Sequence, residues 1–199
     1  MMHIRFEFII EEGKKFLKKT VIIIILIALI YFLLFKVIKI QDIIYRAVYP
    51  KLYSTEVSKY AEEYGVDENL VYAIIKAESN FNEHAVSRSN AVGLMQLMYD
   101  TATDIATIVN IEIDEEKLLD PDININLGTK YISMLIAKYG NIEVALASYN
   151  AGSGNVDNWI ANGTIRADGS NIENVPYNET NNYVRKILRD YKIYSDFWK

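Results

Sequence analysis

Apolar residues are distributed along this chain in two distinct ways. From Thr20 to Phe35, sixteen consecutive residues carry no charge, and residues 21–35 are wholly apolar and dominated by isoleucine and leucine. After residue 50, apolar positions instead recur at intervals of three and four among polar residues, which is the spacing of helices with one buried face. The pattern therefore predicts one membrane-grade segment followed by a helical domain.

The uncharged run predicts a single membrane-spanning helix in preference to a buried core helix, because it is apolar around its whole circumference. Sixteen residues rise about 24 Å against a hydrocarbon core of about 30 Å, and flanking lysines can extend the span by snorkelling. The sequence after Phe35 lacks a small-x-small cleavage site, which favours an uncleaved anchor over a signal peptide. More basic residues precede the span than follow it, which predicts an amino-terminal tail inside the cell. The predicted divisions are a cytoplasmic tail at 1–19, a transmembrane anchor at 20–40, a juxtamembrane linker at 41–52 and an extracytoplasmic domain at 53–199.

The domain after the linker is predicted to be all-helical, since no alternating strand pattern or internal repeat is present. Capping residues and helix-ending glycines mark the elements. The predicted helices are one capped by Ser54 or Thr55 and ending at Gly65, one capped by Asp67, one capped by Asp100 and running to Val109, and three at about 122–139, 142–149 and 179–194. The longest loop is predicted at about 162–178.

Composition removes several classes of chemistry. The 199-residue chain contains no cysteine, and its two histidines, His3 and His84, lie far apart in sequence. A disulfide framework, a thiol nucleophile and a metal centre are therefore not expected. Residues 41–199 carry fourteen Lys and Arg against twenty-three Asp and Glu. This acidic balance excludes nucleic acid as the expected partner.

One carboxylate lies on an apolar helix face. Glu78 follows Ile74 by four residues and Ile75 by three, so helical geometry directs it toward the buried side. Burial disfavours the charged form of a carboxyl group and raises its pKa. Periodicity alone leaves a second interpretation open, in which Glu78 curls into water at the end of its helix.

The residues around Glu78 form part of a longer pattern that decides between these interpretations. Its elements, in chain order, are Glu78-Ser79-Asn80-Phe81, Ser87, Gly93-Leu94-Met95-Gln96-Leu97-Met98, Asp120-Pro121, Asn124-Ile125, Gly128, Tyr131, Ala145 to Gly152, Gly154, Trp159, Pro176, Glu179-Thr180 and Tyr183-Val184. In order and spacing, from about residue 50 to residue 194, this pattern resembles the catalytic core of the soluble lytic transglycosylases, the SLT family related to goose-type lysozyme. Two positions depart from the common family pattern: Tyr99 stands where many members have proline, and Ser148 where many have alanine. The resemblance implies a compact, lysozyme-like, multi-helix domain.

The resemblance also implies the site. It makes Glu78 the sole catalytic acid and base, peptidoglycan glycan strands the substrate, and no cofactor necessary. The residues implied to line the sugar groove are Ser87, Gln96, Met98, Tyr149 and Asn150. Gln96 would be unfavourable to bury among apolar neighbours without a partner, which favours its contact with substrate. Tyr149 as a packed aromatic residue and Asn150 as a helix terminator also have structural interpretations, and both roles can hold together.

The reaction implied by the resemblance is cleavage between N-acetylmuramic acid and N-acetylglucosamine with formation of a 1,6-anhydro sugar. Two alternatives stay open at this point. A hydrolytic muramidase would require a second acid, such as Glu83 or Glu179, and a wall-binding scaffold would retain the groove without turnover. Glu179 is favoured as a structural residue, because it opens a predicted helix where acids suit the helix dipole. The expected location is the bacterial cell membrane, and protein partners are left open.

Overall fold

The computed structural model describes the backbone of residues 2–37 and 40–198, and the side chains of residues 11–36 and 42–198. Within these ranges the regular structure is helical, and β geometry is limited to two isolated bridges, Val86 with Val92 and Val92 with Leu97. The α-helices are α1 (Met2–Val37), α2 (Ile40–Val48), α3 (Ser54–Tyr64), α4 (Glu68–Glu78), α5 (Tyr99–Val109), α6 (Pro121–Tyr139), α7 (Ile142–Ala151), α8 (Ser153–Ala161) and α9 (Asn178–Phe197). The predicted all-α class is confirmed.

The chain divides into two compact units, residues 1–50 and 51–199. In the first unit, α1 includes a 26-residue segment, Glu11–Lys36, in which an 18-residue window has a mean hydropathy of 2.5, so the segment is long and apolar enough to cross a membrane by length and composition. None of this segment is buried by protein. The next helix, α2, occupies most of the segment that the sequence predicted as a linker.

In the second unit, the helices pack around α4. Every side chain from Leu70 to Ile75 is almost completely inaccessible to solvent, so α4 is buried around its whole circumference. It packs against α9 and α3, while α6 packs against α3, α5 and α7, and α7 packs against α8 and α9. The carboxyl end of α4 therefore lies in an assembly that also includes α7 and α9.

One of the three predicted helix caps is confirmed. The other two are wrong, because a neighbouring residue occupies the cap position. Asp67 accepts a hydrogen bond from the amide of Asn69, as a cap of α4 should. Ser54 is instead the first residue of α3, and Tyr53 precedes it in a left-handed conformation without a capping bond. Asp100 is also not a cap, because α5 already begins at Tyr99 and Asp100 lies in its first turn.

In the second unit, one helix was missed. The segment after Gly152 has the glycine and asparagine content of a loop, yet α8 occupies residues 153–161. Gly152 has φ 84° and ψ 145°, a conformation that ends α7 and redirects the chain so that a new helix starts at once. The predicted long loop at 162–178 is interrupted only by one short 3₁₀ turn at Ile172–Asn174 within this described stretch.

Candidate active site

Glu78 is the last residue of α4, where the chain turns sharply. Ser79 terminates the helix, and the next two residues, Asn80 and Phe81, have positive φ values of 49° and 66°. Such values are uncommon for residues other than glycine and are kept only where the surrounding structure holds them. Packing of Phe81 stabilises this conformation, because its ring is buried against Tyr72 with the ring centroids 6.5 Å apart. The turn fixes the position at which the Glu78 side chain leaves the helix.

The Glu78 carboxylate is hydrogen-bonded to a tyrosine from a distant helix. The Tyr183 hydroxyl, on α9, donates to Glu78 Oε1 at 2.6 Å. Burial raises the pKa of Glu78 to about 7 from its ordinary value of 4.5, and the Tyr183 hydrogen bond and the positive charge of Lys186 oppose that rise only partly. Near neutral pH the group is therefore present as both acid and carboxylate, and it can donate or accept a proton.

Two tyrosines, the buried Tyr183 and the partly buried Tyr149, stay neutral beside this carboxyl group. Burial raises the pKa of both Tyr149 and Tyr183 well above the ordinary value, and the negative charge of Glu78 raises them further. The Tyr149 hydroxyl donates to the backbone oxygen of Met95 at 2.9 Å, and its ring lies 5.1 Å from that of Tyr131. Both hydroxyls thus act as fixed hydrogen-bond donors rather than as acids.

A short loop at residues 92–97, here called the motif loop, is held by one buried asparagine. The side chain of Asn124, on α6, is completely buried. Its Oδ1 accepts from the Met95 amide at 2.8 Å, and its Nδ2 donates to the backbone oxygens of Val92 at 3.0 Å and Leu118 at 2.8 Å. Asn124 therefore joins the motif loop, α6 and the turn before α6 at a single point.

The other side of the motif loop is tied to the helix end that carries Glu78. Ser79 Oγ donates to the backbone oxygen of Leu94 at 2.8 Å, and Tyr149 bonds the next carbonyl along, that of Met95. These bonds satisfy buried backbone groups that water cannot reach. The loop is therefore positioned relative to Glu78 by the residue directly after Glu78.

Gln96 behaves differently from the sequence expectation. Its backbone is left-handed, with φ 49°, and its Nε2 donates to the backbone oxygens of Ala85 at 3.0 Å and Gly93 at 2.9 Å. Gln96 therefore has hydrogen-bond partners within the protein, contrary to the sequence expectation: it bonds Gly93 inside the motif loop and Ala85 outside it. A contact between Gln96 Oε1 and substrate remains a proposal.

The remaining predicted groove residues lie on three different elements. Ser87 Oγ accepts from the amides of Ser89 and Ala91, at 3.2 and 2.9 Å, and so closes a turn. Met98 directly precedes α5 and has 45% of its surface exposed. Asn150, near the end of α7, accepts from the buried Thr180 hydroxyl at 2.7 Å. Ser87 and Asn150 therefore have structural contacts that are compatible with a role toward substrate, and the Met98 side chain is open to solvent.

Open space adjoins this region. A cavity of about 550 Å³ lies beside the motif loop. Its lining includes Val86 and Tyr99, which are adjacent in sequence to the predicted groove residues Ser87 and Met98. The further lining residues are Asn90, Val92, Glu115, Glu116, Leu118 and Leu119.

The two alternative acids have different surroundings from Glu78. Glu83 Oε2 accepts from the Tyr53 hydroxyl at 3.0 Å, and Glu83 Oε1 lies 3.5 Å from His84 Nε2. Glu179 is exposed in the first turn of α9, where a carboxylate interacts favourably with the helix dipole. The structural interpretation of Glu179 agrees with this position.

Sequence reasoning assigned no role to Tyr183. The residue was visible only as part of the family pattern, and the 105 positions between Glu78 and Tyr183 leave no periodicity that could pair them. Only chemistry could have indicated such a partner for Glu78, since a carboxyl group held on an apolar stripe requires a buried hydrogen-bond donor.

Replacing Tyr183 with phenylalanine is expected to change the pH dependence of activity. The hydroxyl stabilises the Glu78 carboxylate, so its loss should raise the Glu78 pKa above about 7. A hydrogen bond to a charged group contributes about 1.5–3 kcal/mol, so the alkaline limb of the rate profile should move up by roughly one to two pH units. Tyr191→Phe is the matched control, because Tyr191 lies on the same helix and bonds Asp67 instead. An unmoved limb in Tyr183→Phe would contradict this role.

Comparison with known proteins identifies the family of this chain. Residues 56–171 match the family model described as the transglycosylase SLT domain. The soluble lytic murein transglycosylase of Salmonella typhimurium is 33% identical over 153 residues, which cover 75% of this chain and 24% of that protein. Membrane-bound lytic murein transglycosylase C of Yersinia pestis is 42% identical over 111 residues, covering 50% of this chain and 31% of that protein.

Solved structures share the fold. The 70 kDa soluble lytic transglycosylase of Escherichia coli superposes with a TM-score of 0.69 at 32% identity, over 75% of this chain and 25% of that one. An inactive glutamate-to-glutamine mutant of the lytic transglycosylase Slt from Pseudomonas aeruginosa gives a TM-score of 0.67 at 32% identity, over 74% and 24% of the two chains. The present chain spans about a quarter of the length of these soluble relatives. Because the family model covers more than half of its residues, the chain belongs to the transglycosylase SLT domain family.

Proposed function

We propose that this protein is a membrane-anchored peptidoglycan lytic transglycosylase that uses Glu78 as its single general acid and base. The observation that carries the proposal is the Glu78 carboxyl group itself, with its pKa raised to about 7 and its Oε1 bonded to Tyr183. A pKa near the working pH suits a group that must first donate and then accept a proton. The inactive glutamate-to-glutamine mutant of the Pseudomonas aeruginosa relative supports a glutamate in this role.

In the first step, protonated Glu78 donates its proton to the oxygen between N-acetylmuramic acid and N-acetylglucosamine. The bond from that oxygen to the muramic acid C1 breaks, and the oxygen leaves as a hydroxyl group. The substrate's own acetamido group or ring oxygen then stabilises the positive charge at C1, so no second carboxylate is required. Tyr183 donates to the newly formed Glu78 carboxylate and keeps it oriented for the next step.

In the second step, the Glu78 carboxylate removes the proton from the C6 hydroxyl of the same muramic acid. The C6 oxygen forms a bond to C1 and gives the 1,6-anhydro ring, and Glu78 is protonated again. No water is consumed, and the enzyme returns to its starting state. Capture by a tethered hydroxyl is favoured because effective molarities of intramolecular groups reach about 10⁵ M or more.

Substrate positioning is proposed for the motif loop and its neighbours. The exposed Met98 side chain offers an apolar surface to a sugar ring, and Gln96 Oε1 is an acceptor on a loop that four side chains immobilise. The proposed substrate contacts are Ser87, Gln96, Met98, Tyr149 and Asn150.

The proposal also includes attachment to the membrane through α1. The segment Glu11–Lys36 meets the length and hydropathy of a membrane span, and one relative is named a membrane-bound enzyme. We place residues 1–19 in the cytoplasm and the SLT domain outside, because lysines concentrate before the span.

Incubation of the purified full-length protein, in detergent or vesicles, with isolated cell-wall sacculi tests the activity. We expect soluble muropeptides to be released at a rate proportional to enzyme concentration. Binding to sacculi without release would contradict the proposal and support the scaffold alternative.

A further inference from the structure

Helix α2 separates its apolar and charged residues onto opposite faces. At 100° per residue, Ile43, Ile44 and Ala47 fall within one arc of about 100°. Asp42 lies opposite the centre of that arc, with Arg46 one turn further along the same charged side. A nine-residue helix with this arrangement has one face suited to an apolar phase and one suited to water.

The apolar face of α2 is not covered in the structure. Ile43 has 60% and Ile44 has 54% of its surface exposed. Adjacent exposed isoleucines are unfavourable in water and usually mark a surface that contacts another phase or molecule.

The short connection between α1 and α2 limits where α2 can lie. Helix α1 ends at Val37 and α2 begins at Ile40, so the two ends are three peptide units apart, at most about 11 Å. The polar layer on each side of a bilayer is about 5–8 Å thick. If α1 spans the membrane, α2 therefore starts inside the outer polar layer or at its edge.

We propose that α2 lies in the plane of the outer membrane–water interface, with Ile43 and Ile44 facing the lipid acyl chains and Asp42 facing water. The inference rests on the proposed membrane anchoring by α1 and is independent of the glycan-cleaving activity.

An interfacial α2 limits how far the catalytic domain can reach. Six peptide units separate Val48 from Ser54, the start of α3, and extend at most about 21 Å. If residues 38–53 were instead a free linker, the reach from Val37 would be about 60 Å. The surface helix thus restricts the enzyme to glycan strands close to the membrane.

Because the chain has no cysteine, single cysteines can carry a fluorescent probe without background labelling. The full-length variants Ile44→Cys, Asp42→Cys and Ala28→Cys would each be labelled with nitrobenzoxadiazole. They would then be placed in vesicles of phosphatidylethanolamine and phosphatidylglycerol. Nitroxide lipids carrying the quencher near the carbonyl end or the methyl end of the acyl chain report probe depth.

We expect the Ile44 probe to shift to the blue and to lose more fluorescence to the shallow quencher than to the deep one. The Asp42 probe should keep its aqueous emission, and the Ala28 probe, in the middle of α1, should be quenched most by the deep nitroxide. A blue-shifted Ile44 probe that neither lipid quenches would mean that protein covers this face and would overturn the inference. Equal quenching of the Ile44 and Asp42 probes would also overturn it. An unquenched Ala28 probe would overturn the membrane anchoring as well, without bearing on glycan cleavage.

Discussion

Replacing Glu78 with glutamine is expected to abolish glycan cleavage while the domain stays folded and still binds glycan. The amide keeps the shape of the carboxylic acid but has no proton to donate and cannot act as a base. General acid–base catalysis contributes about 10²–10⁴-fold in rate, and Glu78 serves both steps, so we expect a loss at the upper end of this range. The initial rate of muropeptide release from sacculi measures it.

Two other glutamates provide matched controls for this substitution. Glu83→Gln makes the same chemical change at a carboxylate that accepts a hydrogen bond from Tyr53. Glu179→Gln makes it at an exposed carboxylate at the start of α9. Both variants should cleave sacculi at rates close to wild type. A Glu78→Gln enzyme that kept more than about a tenth of the activity, well outside the range for a lost acid–base group, would show that another residue does the chemistry.

The pH dependence of stability shows whether Glu78→Gln has lost a catalytic group or has misfolded. The folded-state pKa of Glu78 is raised to about 7, so between about pH 4.5 and 7 the native state binds more protons than the unfolded state. Wild-type stability should therefore fall as pH rises through that window. Glu78→Gln removes this dependence and should melt at a higher temperature than wild type at about pH 8, with little difference at about pH 4.

Replacing Gly93 with alanine is expected to disrupt the motif loop. Gly93 has φ +81°, and an added Cβ would collide with the Asn124 side chain and lie 2.7 Å from the backbone oxygen of Leu118. Neither neighbour can move freely, because Asn124 is fully buried and holds three backbone groups. Left-handed backbone strain and overpacking together should lower the free energy of unfolding by about 2–5 kcal/mol. Urea unfolding followed by circular dichroism measures the loss.

Gly163→Ala separates the two contributions. Gly163 has φ +76° but no atom within 4 Å of an added Cβ, so its replacement introduces the backbone strain without the collision. That variant should lose only about 1–2 kcal/mol and keep its activity. Equal destabilisation at the two positions would show that the contact with Asn124 does not constrain the loop.

The features that the sequence predicted correctly are encoded locally. The apolar stripe of α4 and its cap Asp67 lie within a dozen residues of each other, and the same stripe indicated that Glu78 points inward. The start of α5 was misplaced, because Met98 and Tyr99 carry no capping signal and the nearby Asp100 does. Local chemistry therefore located most helices to within a few residues, though not always their first residue, and it did not indicate α2 or α8.

The features that could not be predicted depend on contacts between distant segments. Tyr183 reaches Glu78 only because α9 packs on α4, and Asn124 reaches the motif loop only because α6 packs behind it. The protein partners of Gln96 were missed for a related reason, since Ala85 lies in a loop with no periodic pattern. Each of these pairings is a consequence of tertiary packing, and no propensity or spacing signals it.

The chemical form of the cleaved ends tests the central claim most directly. Sacculi digested by the full-length enzyme would be analysed by mass spectrometry before and after borohydride reduction. If Glu78 alone directs intramolecular capture, the muropeptides should end in 1,6-anhydro sugars that are one water lighter than muramidase products and resist reduction. Full-mass termini that borohydride reduces, as the main product, would contradict the transglycosylase mechanism and identify a hydrolytic muramidase.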